Sequence, residues 1–212
     1  MLKYKTQTKL NTLDFHSYDS LIANKNISDQ LVNTYQAIFS DPLLWEENYS
    51  QQEVLTKLRH ELSGNSGLRL YANPNKYKKS QSEVVGFCWA QQLDVYGVQH
   101  AIESIQYYQT IGSPKIDETL KQILNDQPVL YIHDLGITQA FRGQIPLHQL
   151  ICPVINSLAQ RSQTQRLFFW SIKESRIYKL AEYAGFKLVA TVDGMQFFIG
   201  NIDNKRVRSA CL

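Results

Sequence analysis

Two adjacent ionisable residues, His133 and Asp134, interrupt the otherwise apolar run Val129–Ile137. An isolated carboxylate is costly to bury, so an Asp in such a run is either hydrogen-bonded or raised in pKa. A carboxylate with a raised pKa is suited to act as a general base near neutrality. Asp134 is therefore the first candidate for a base and His133 the second, with a hydrogen-bonded core group as the alternative for either. Because side chains alternate along a strand, we expect the two to point to opposite faces.

A second chemical signal lies at Arg142–Gly143, between that run and a helix predicted to include Leu147. The free amides and the positive dipole end of a helix N-terminus attract anions. Gly143 permits a positive φ and a close approach of the backbone to a ligand, and Arg142 adds a charge with planar donors. The turn suits a pyrophosphate, although a strand–turn–helix connection of this kind can also be purely structural.

Hydrophobic periodicity predicts the elements that would position these residues. Apolar residues on one face predict a helix over Ile27–Ser40, and Ser50–Glu53 is a capping box that begins a second helix ending at Gly64. Strands are predicted at 67–72, 83–93, 129–137, 166–171, 186–191 and 196–199, and further helices at 101–108, 117–124, 147–159 and 176–184. The last two strands form a hairpin around Asp193-Gly194, and Pro153 is expected to kink its helix.

This element order, combined with the Arg-Gly turn, resembles the GCN5-related N-acetyltransferase (GNAT) family. In that family the fourth strand ends in a small apolar residue, and the pattern Arg-Gly-x-Gly-x-Gly or Ala follows before a helix that carries a Leu. Ile137, Arg142, Gly143 and Leu150 occupy the corresponding positions. The resemblance covers most of the chain and is strongest over residues 83–200.

A later segment resembles the closing motif of the same family, Asn-x-x-Ala-x-x-Leu-Tyr-x-x-x-Gly-Phe. The matching residues are Leu180, Gly185 and Phe186. Glu174 stands where the family has Asn, and Ala181 stands where it often has the Tyr that protonates the departing thiolate.

The Arg-Gly loop departs from the family pattern as well. Ile145 and Leu147 replace its two later glycines, and Pro146 lies between them. A Pro at the start of a helix is tolerated because its missing N–H costs no intrahelical bond. It also removes one amide that could have bound a phosphate.

The resemblance implies an α/β fold of the GNAT type. Its centre would be a mixed sheet of about six to seven strands with splayed central strands, flanked by helices. Residues 1–200 would form a single acyltransferase domain with an insertion at 94–128, and residues 201–212 a polar, basic tail. The insertion is expected to pack over the acceptor side of the cleft and to help select the substrate.

The resemblance also implies acetyl-CoA as co-substrate, without a metal, and assigns candidate residues to three roles. The catalytic candidates are Asp134, His133 and Tyr178, the last as a substitute phenol. The coenzyme would be bound by Leu135, Gly136, Ile137, Arg142, Gly143, Gln144, Ile145, Pro146 and Leu147. The acceptor would contact Trp45, Tyr107 and Tyr108.

The function that this resemblance implies is transfer of an acetyl group from acetyl-CoA to a primary amine of a small-molecule or peptide acceptor. The alternative is a catalytically impaired module of the same fold that binds CoA or a partner in a regulatory role. Ile145, Leu147 and Ala181 favour the module, whereas Arg142-Gly143 and Asp134 favour the enzyme.

Composition excludes several other classes of protein. The formal net charge of +3 is too small to indicate a nucleic-acid binder, and the basic residues near the C-terminus are a weak signal. The sequence shows neither a signal peptide nor an apolar run long enough to cross a membrane, so a soluble, cytoplasmic protein is expected. The three cysteines show no metal-binding spacing, and Cys152 is expected to be a buried, inert thiol. The oligomeric state is open, with a homodimer among the options.

Overall fold

The computed structural model describes residues 10–40, 49–74, 82–105, 114–172, 181 and 185–202. Within these residues, seven strands form one sheet in the order β1-β2-β3-β4-β5-β7-β6. The strands are β1 (Asn11–Phe15), β2 (Ser66–Pro74), β3 (Ser82–Leu93), β4 (Val129–Ile137), β5 (Arg166–Ile172), β6 (Lys187–Val192) and β7 (Met195–Asn201). The helices are α1 (Tyr18–Ile22), α2 (Lys25–Phe39), α3 (Gln51–Glu61), α4 (Val95–Glu103), α5 (Pro114–Leu124) and α6 (Leu147–Ser162), with a 3-10 turn at Gln139–Phe141.

The centre of the sheet is splayed between β4 and β5. These two strands are parallel and pair at Leu130–Leu167 and Tyr131–Phe168, and within their described residues no further pair follows. The other neighbouring strands pair antiparallel over longer stretches. The mixed sheet with splayed central strands is therefore confirmed.

Helices cover both faces of the sheet. On one face α1, α2 and α3 enclose an apolar core with β2 and β3, in which Tyr35, Phe87 and Trp89 are fully buried. On the same face α4 and α5 pack on Tyr131 and its neighbours in β5 and β7. Helix α6 covers the opposite face. Helices α4 and α5 thus lie on the face of the sheet that also carries Asp134.

Most of the predicted elements are confirmed, because their signals are local. Strand β4 has the predicted bounds, and Ser50 and Glu53 form the reciprocal capping box at the start of α3. Asp193 and Gly194 both take positive φ in the turn between β6 and β7. The helix predicted at 176–184 lies largely outside the described residues.

Several local features differ from the prediction. The helix predicted at 101–108 is α4, which begins at Val95 because Asp94 caps it by accepting from the Gly97 amide at 2.8 Å. Strand β1 and helix α1 were not predicted. Helix α6 runs through Pro153 to Ser162, three residues beyond its predicted end. Cys152 is buried but disulfide-bonded rather than a free thiol.

Candidate active site

The side chains of His133 and Asp134 lie on the same face of the sheet, and the prediction of opposite faces is wrong. The reason is a β-bulge: Trp89 pairs with Asp134 and Ala90 pairs with Ile132, so His133 is an extra residue without a partner across the ladder. A bulge of this type places two successive residues against one on the neighbouring strand and re-aims their side chains. Both side chains consequently face α3.

Four ionisable side chains meet at the bulge, and we call them the charged cluster: Lys57, Glu61, His133 and Asp134. Lys57 Nζ lies 3.0 Å from Glu61 Oε1 and 3.3 Å from Asp134 Oδ2. His133 Nδ1 lies 3.2 Å from the same Glu61 oxygen. The side chains are between 3% and 17% exposed, so solvent screens these interactions only weakly.

Neutral hydrogen-bonding groups surround the charged cluster. Trp89 Nε1 donates to Glu61 Oε2 at 2.6 Å, and the Tyr35 hydroxyl donates to Asp134 Oδ2 at 3.3 Å. His133 Nε2 lies 3.2 Å from Gln91 Oε1. Both ring nitrogens of His133 therefore face oxygen atoms.

The two carboxylates of the charged cluster differ in the direction of their pKa. Burial raises the pKa of Asp134 above its usual value; the Lys57 ammonium opposes this rise and the Glu61 carboxylate adds to it. Burial would also raise the pKa of Glu61, but His133 and Lys57 together lower it to about 2. Glu61 contacts Lys57 and His133, whereas Asp134 contacts Lys57 alone of these two, and this accounts for the difference. Asp134 thus shows both of the outcomes that the sequence left open, since it is hydrogen-bonded and its pKa is raised.

For Lys57, burial and the neighbouring charges shift the pKa in the opposite directions from those in the carboxylates. Burial would lower its pKa, but the carboxylates of Asp134 and Glu61 outweigh burial and raise that pKa well above its usual value. The ammonium is consequently a permanent positive charge at neutral pH. It is not a nucleophile.

Sequence reasoning does not identify Lys57, Glu61 and Tyr35 as site residues. The capping box locates the start of α3 but does not indicate which of its charged side chains face the sheet. Helical spacing contained a signal for Glu61, which lies three residues after the buried Leu58 and seven after the buried Val54. No comparable signal links α3 to β4, since that contact depends on tertiary packing.

The end of β4 leads from the charged cluster toward the Arg-Gly loop. Gly136 is buried on the α2 face, where an added Cβ would lie 2.7 Å from Phe87 and 2.9 Å from Ile38. Leu135 and Ile137 pack on the α6 side. From Ile132 onward this strand runs beside the gap that opens between β4 and β5. These three predicted coenzyme residues therefore border the splay.

The Arg142–Gly143 turn closes the same end of the splay. Arg142 is exposed, and its Nε donates to the carbonyl oxygen of Ile137 at 3.2 Å, which fixes the side chain beside the end of β4. Gly143 has a φ of +79°, and a Cβ built on it would meet no described atom within 4 Å. The positive φ predicted for this glycine is confirmed, and its backbone faces open space.

The rest of the loop connects to α6. Gln144 is exposed and its side-chain amide donates to the Ala140 carbonyl at 2.8 Å. Ile145 is buried, and its backbone amide is directed at the Phe141 carbonyl at 3.4 Å. Pro146 precedes Leu147, the first residue of α6, without offering an N–H or a side-chain cap. The loop thus provides fewer free amides than a glycine-rich one would.

Four predicted residues cannot be placed. Tyr178, Trp45, Tyr107 and Tyr108 lie outside the described residues. In the part of the chain that the structure describes, no three His, Cys, Asp or Glu side chains are grouped as metal ligands. None of its helices combines the length and apolarity required to cross a bilayer.

Known structures resemble this chain in fold but hardly in sequence. A GNAT-family acetyltransferase from Staphylococcus aureus Mu50 has 12% identity and a TM-score of 0.58, covering 92% of this chain and 100% of its own. NAA60 of Arabidopsis thaliana in complex with acetyl-CoA has 12% identity and a TM-score of 0.53, with 92% and 100% covered. The same protein with a bisubstrate analogue has 13% identity and a TM-score of 0.54, with 90% and 98% covered.

No protein-family model and no curated protein sequence matches the chain. The structural likeness nevertheless extends over nine-tenths of it and includes the sheet that carries the site. The chain therefore has the fold of the GNAT acetyltransferases.

Proposed function

We propose that this protein is an acetyltransferase that moves an acetyl group from acetyl-CoA to a primary amine. The observation that carries the proposal is the splay between β4 and β5, which lies between the Arg142–Gly143 turn at one end and Asp134 near the other. Structures of the same fold include an acetyl-CoA complex, which supports the coenzyme. The acceptor is proposed as an amine by class, without a specific identity.

In this proposal the pyrophosphate of the coenzyme lies at the Arg142–Gly143 turn and the first turn of α6. The positive φ and open surroundings of Gly143 allow a close approach of phosphate oxygens to the backbone at this residue. The exposed Arg142 guanidinium adds a charged donor, held near by its bond to the Ile137 carbonyl. The pantetheine arm extends from there along the unpaired edge of β4, beside Leu135 and Gly136.

The reaction joins the acceptor nitrogen to the thioester carbonyl carbon. The new C–N bond forms as the C–S bond breaks, the amine gives up a proton, and CoA leaves as a thiolate that takes up a proton from solvent. Asp134 accepts the amine proton, directly or through water, and an N–H of β4 near Ile137 stabilises the carbonyl oxygen. A thiolate is a fair leaving group, so Ala181 in place of a Tyr does not prevent the reaction.

Two assays test the proposal in order. Thermal shift with acetyl-CoA should show stabilisation, of about 2.7 kcal/mol at a ligand concentration 100 times its Kd. Release of free thiol should then follow when acetyl-CoA is mixed with a panel of primary amines, and should stay at background without an amine. The absence of any coenzyme stabilisation would contradict the proposal at its first step.

The second candidate function is a module that binds CoA without transferring the acetyl group. The buried Ile145 amide and the missing N–H of Pro146 favour it, because both reduce the anion-binding capacity of the loop. The thiol-release assay separates the two functions. Saturable coenzyme binding with no thiol release on any amine would favour the module.

A further inference from the structure

Asp134 is contacted through one of its two carboxylate oxygens. The Lys57 ammonium and the Tyr35 hydroxyl both approach Oδ2, each at 3.3 Å. The described residues supply no hydrogen-bond donor to Oδ1, and this oxygen is not among their fully buried, unpartnered polar atoms. One oxygen is therefore held by the protein, and the other remains accessible for an exchange of protons.

Lys57 is itself fixed in place. Its i,i+4 partner Glu61 holds the ammonium at 3.0 Å, and Glu61 is in turn held by Trp89 Nε1 at 2.6 Å and by His133 Nδ1 at 3.2 Å. The chain of contacts thus runs from β3 through α3 to the bulge of β4. A long, flexible side chain becomes a defined donor only when its charge is held in this way.

We propose that Lys57 is a positioning residue: it holds Asp134 by Oδ2 and keeps the carboxylate ionised, so that Oδ1 is presented as the acceptor of the amine proton. This inference rests on the proposed acetyl transfer and deepens it. Lys57 touches neither the acetyl group nor the amine. Its effect is exerted through Asp134.

Six ionisable groups of the described residues lie around Asp134. On α3 these are Lys57 and Glu61, on β4 His133 and Tyr131, on β3 Cys88, and on α2 Tyr35. Burial and the Glu61 charge favour a neutral Asp134, and among these groups Lys57 is the cation in contact with it. Without the ammonium the carboxyl would remain protonated at higher pH and could not accept a proton there.

The principal test compares Lys57→Met, which removes the charge, with Lys57→Arg, which keeps it. In Lys57→Met the acid limb of kcat/KM for acetyl transfer should move to higher pH by roughly 1–3 units, the usual effect of a neighbouring opposite charge on a carboxyl. Lys57→Arg should restore most of that shift. Lys25→Met is the matched control, because Lys25 forms the same i,i+4 pair with Asp29 on an exposed surface, and it should leave the profile unchanged.

A second measurement does not depend on turnover. The carboxyl carbon of Asp134, assigned by its loss in Asp134→Asn, can be titrated by NMR in the wild type and in Lys57→Met. The midpoint should rise in the variant, by the same amount as the kinetic shift. An unchanged midpoint together with an unchanged pH profile would overturn the inference.

Two controls keep the outcomes separate. If Lys57→Met folds poorly, the double variant Lys57→Met/Glu61→Gln removes one positive and one negative charge. A smaller rise in the Asp134 midpoint is expected there, because the Glu61 carboxylate itself raises that pKa by less than Lys57 lowers it. If the wild type binds acetyl-CoA but transfers no acetyl group, the proposed function fails, whereas the NMR titration still decides whether Lys57 holds the charge of Asp134.

Discussion

The two ends of the splay differ in burial: one consists of buried, mutually paired side chains and the other of an exposed turn. At the bulge of β4, buried side chains pair with one another and the fold fixes each partner. At the Arg142–Gly143 turn, an exposed guanidinium and an open stretch of backbone offer donors to a ligand that would complete the site. Changes at the buried end should therefore affect both stability and reaction rate. Changes at the exposed end should affect binding alone.

The largest expected effect belongs to the buried end. Asp134→Asn keeps the shape of the side chain but removes the proton acceptor, and general acid–base assistance contributes about 10²–10⁴-fold to rate. We expect acetyl transfer to fall within that range while coenzyme affinity measured by calorimetry stays near that of the wild type. Asp14→Asn, at a distant carboxylate paired with Arg69, is the control. Turnover that is insensitive to Asp134→Asn would leave the enzyme without its proposed base.

Glu61→Gln tests the buried end of the splay through its effect on the free energy of unfolding. A carboxyl whose pKa is lowered on folding stabilises the native state above its unfolded pKa of about 4.3, and this stabilisation is lost as the pH falls toward the folded pKa. With the pKa of Glu61 lowered to about 2 in the fold, the variant should be less stable than the wild type by about 3 kcal/mol at neutral pH. The difference should shrink below about pH 4.3, as urea unfolding at several pH values would show.

Asp134 should have the opposite pH dependence. Its raised pKa favours the folded state at acid pH, and that contribution is lost as the pH rises through the folded pKa. The pH dependence of the free energy of unfolding of the wild type therefore contains contributions from both Glu61 and Asp134. The difference between the wild type and Glu61→Gln reports Glu61 together with its effect on the pKa of Asp134. A difference that is constant with pH would show that the partners of Glu61 do not lower its pKa.

At the exposed end, Arg142→Ala should weaken acetyl-CoA binding by about 1.5–3 kcal/mol, the contribution of a hydrogen bond to a charged group. Thermal stability without ligand should hardly change, because the side chain is exposed. Calorimetry with acetyl-CoA measures the effect, and Arg59→Ala, an exposed arginine on α3, is the control for net charge. Equal affinity for acetyl-CoA in the wild type and in Arg142→Ala would show that the pyrophosphate does not bind at this turn.

The smallest effect on stability is expected at the exposed ion pair of Lys25 and Asp29 on α2, away from both ends of the splay. Lys25 and Asp29 repeat the i,i+4 spacing of Lys57 and Glu61, but their side chains are 84% and 43% exposed. Solvent screening leaves such a pair with about 0.3–0.5 kcal/mol. Lys25→Met should therefore change the free energy of unfolding by no more than this amount. A loss as large as that in Glu61→Gln would show that burial does not account for the difference between the two pairs.

Structure at the level of single elements could be predicted because its causes are local. The bounds of β4 follow from an apolar run, the start of α3 from Ser50 and Glu53, and the conformation of Gly143 from the absence of a side chain. The failures also have local causes. Strand β1 is short, and α4 is capped by Asp94 earlier than its apolar pattern indicated.

The sequence by itself determined the bounds of strand β4, the turn after it and the presence of a carboxylate within that strand. Each of these depends on residues that are neighbours in the chain. The tertiary structure alone decided which side chains surround Asp134. Pairing with β3 introduces the bulge that turns His133 and Asp134 to one face, and packing of α3 on that face brings in Lys57 and Glu61. A periodic pattern cannot encode this arrangement, because one extra residue in a strand reverses the direction of the side chains that follow it.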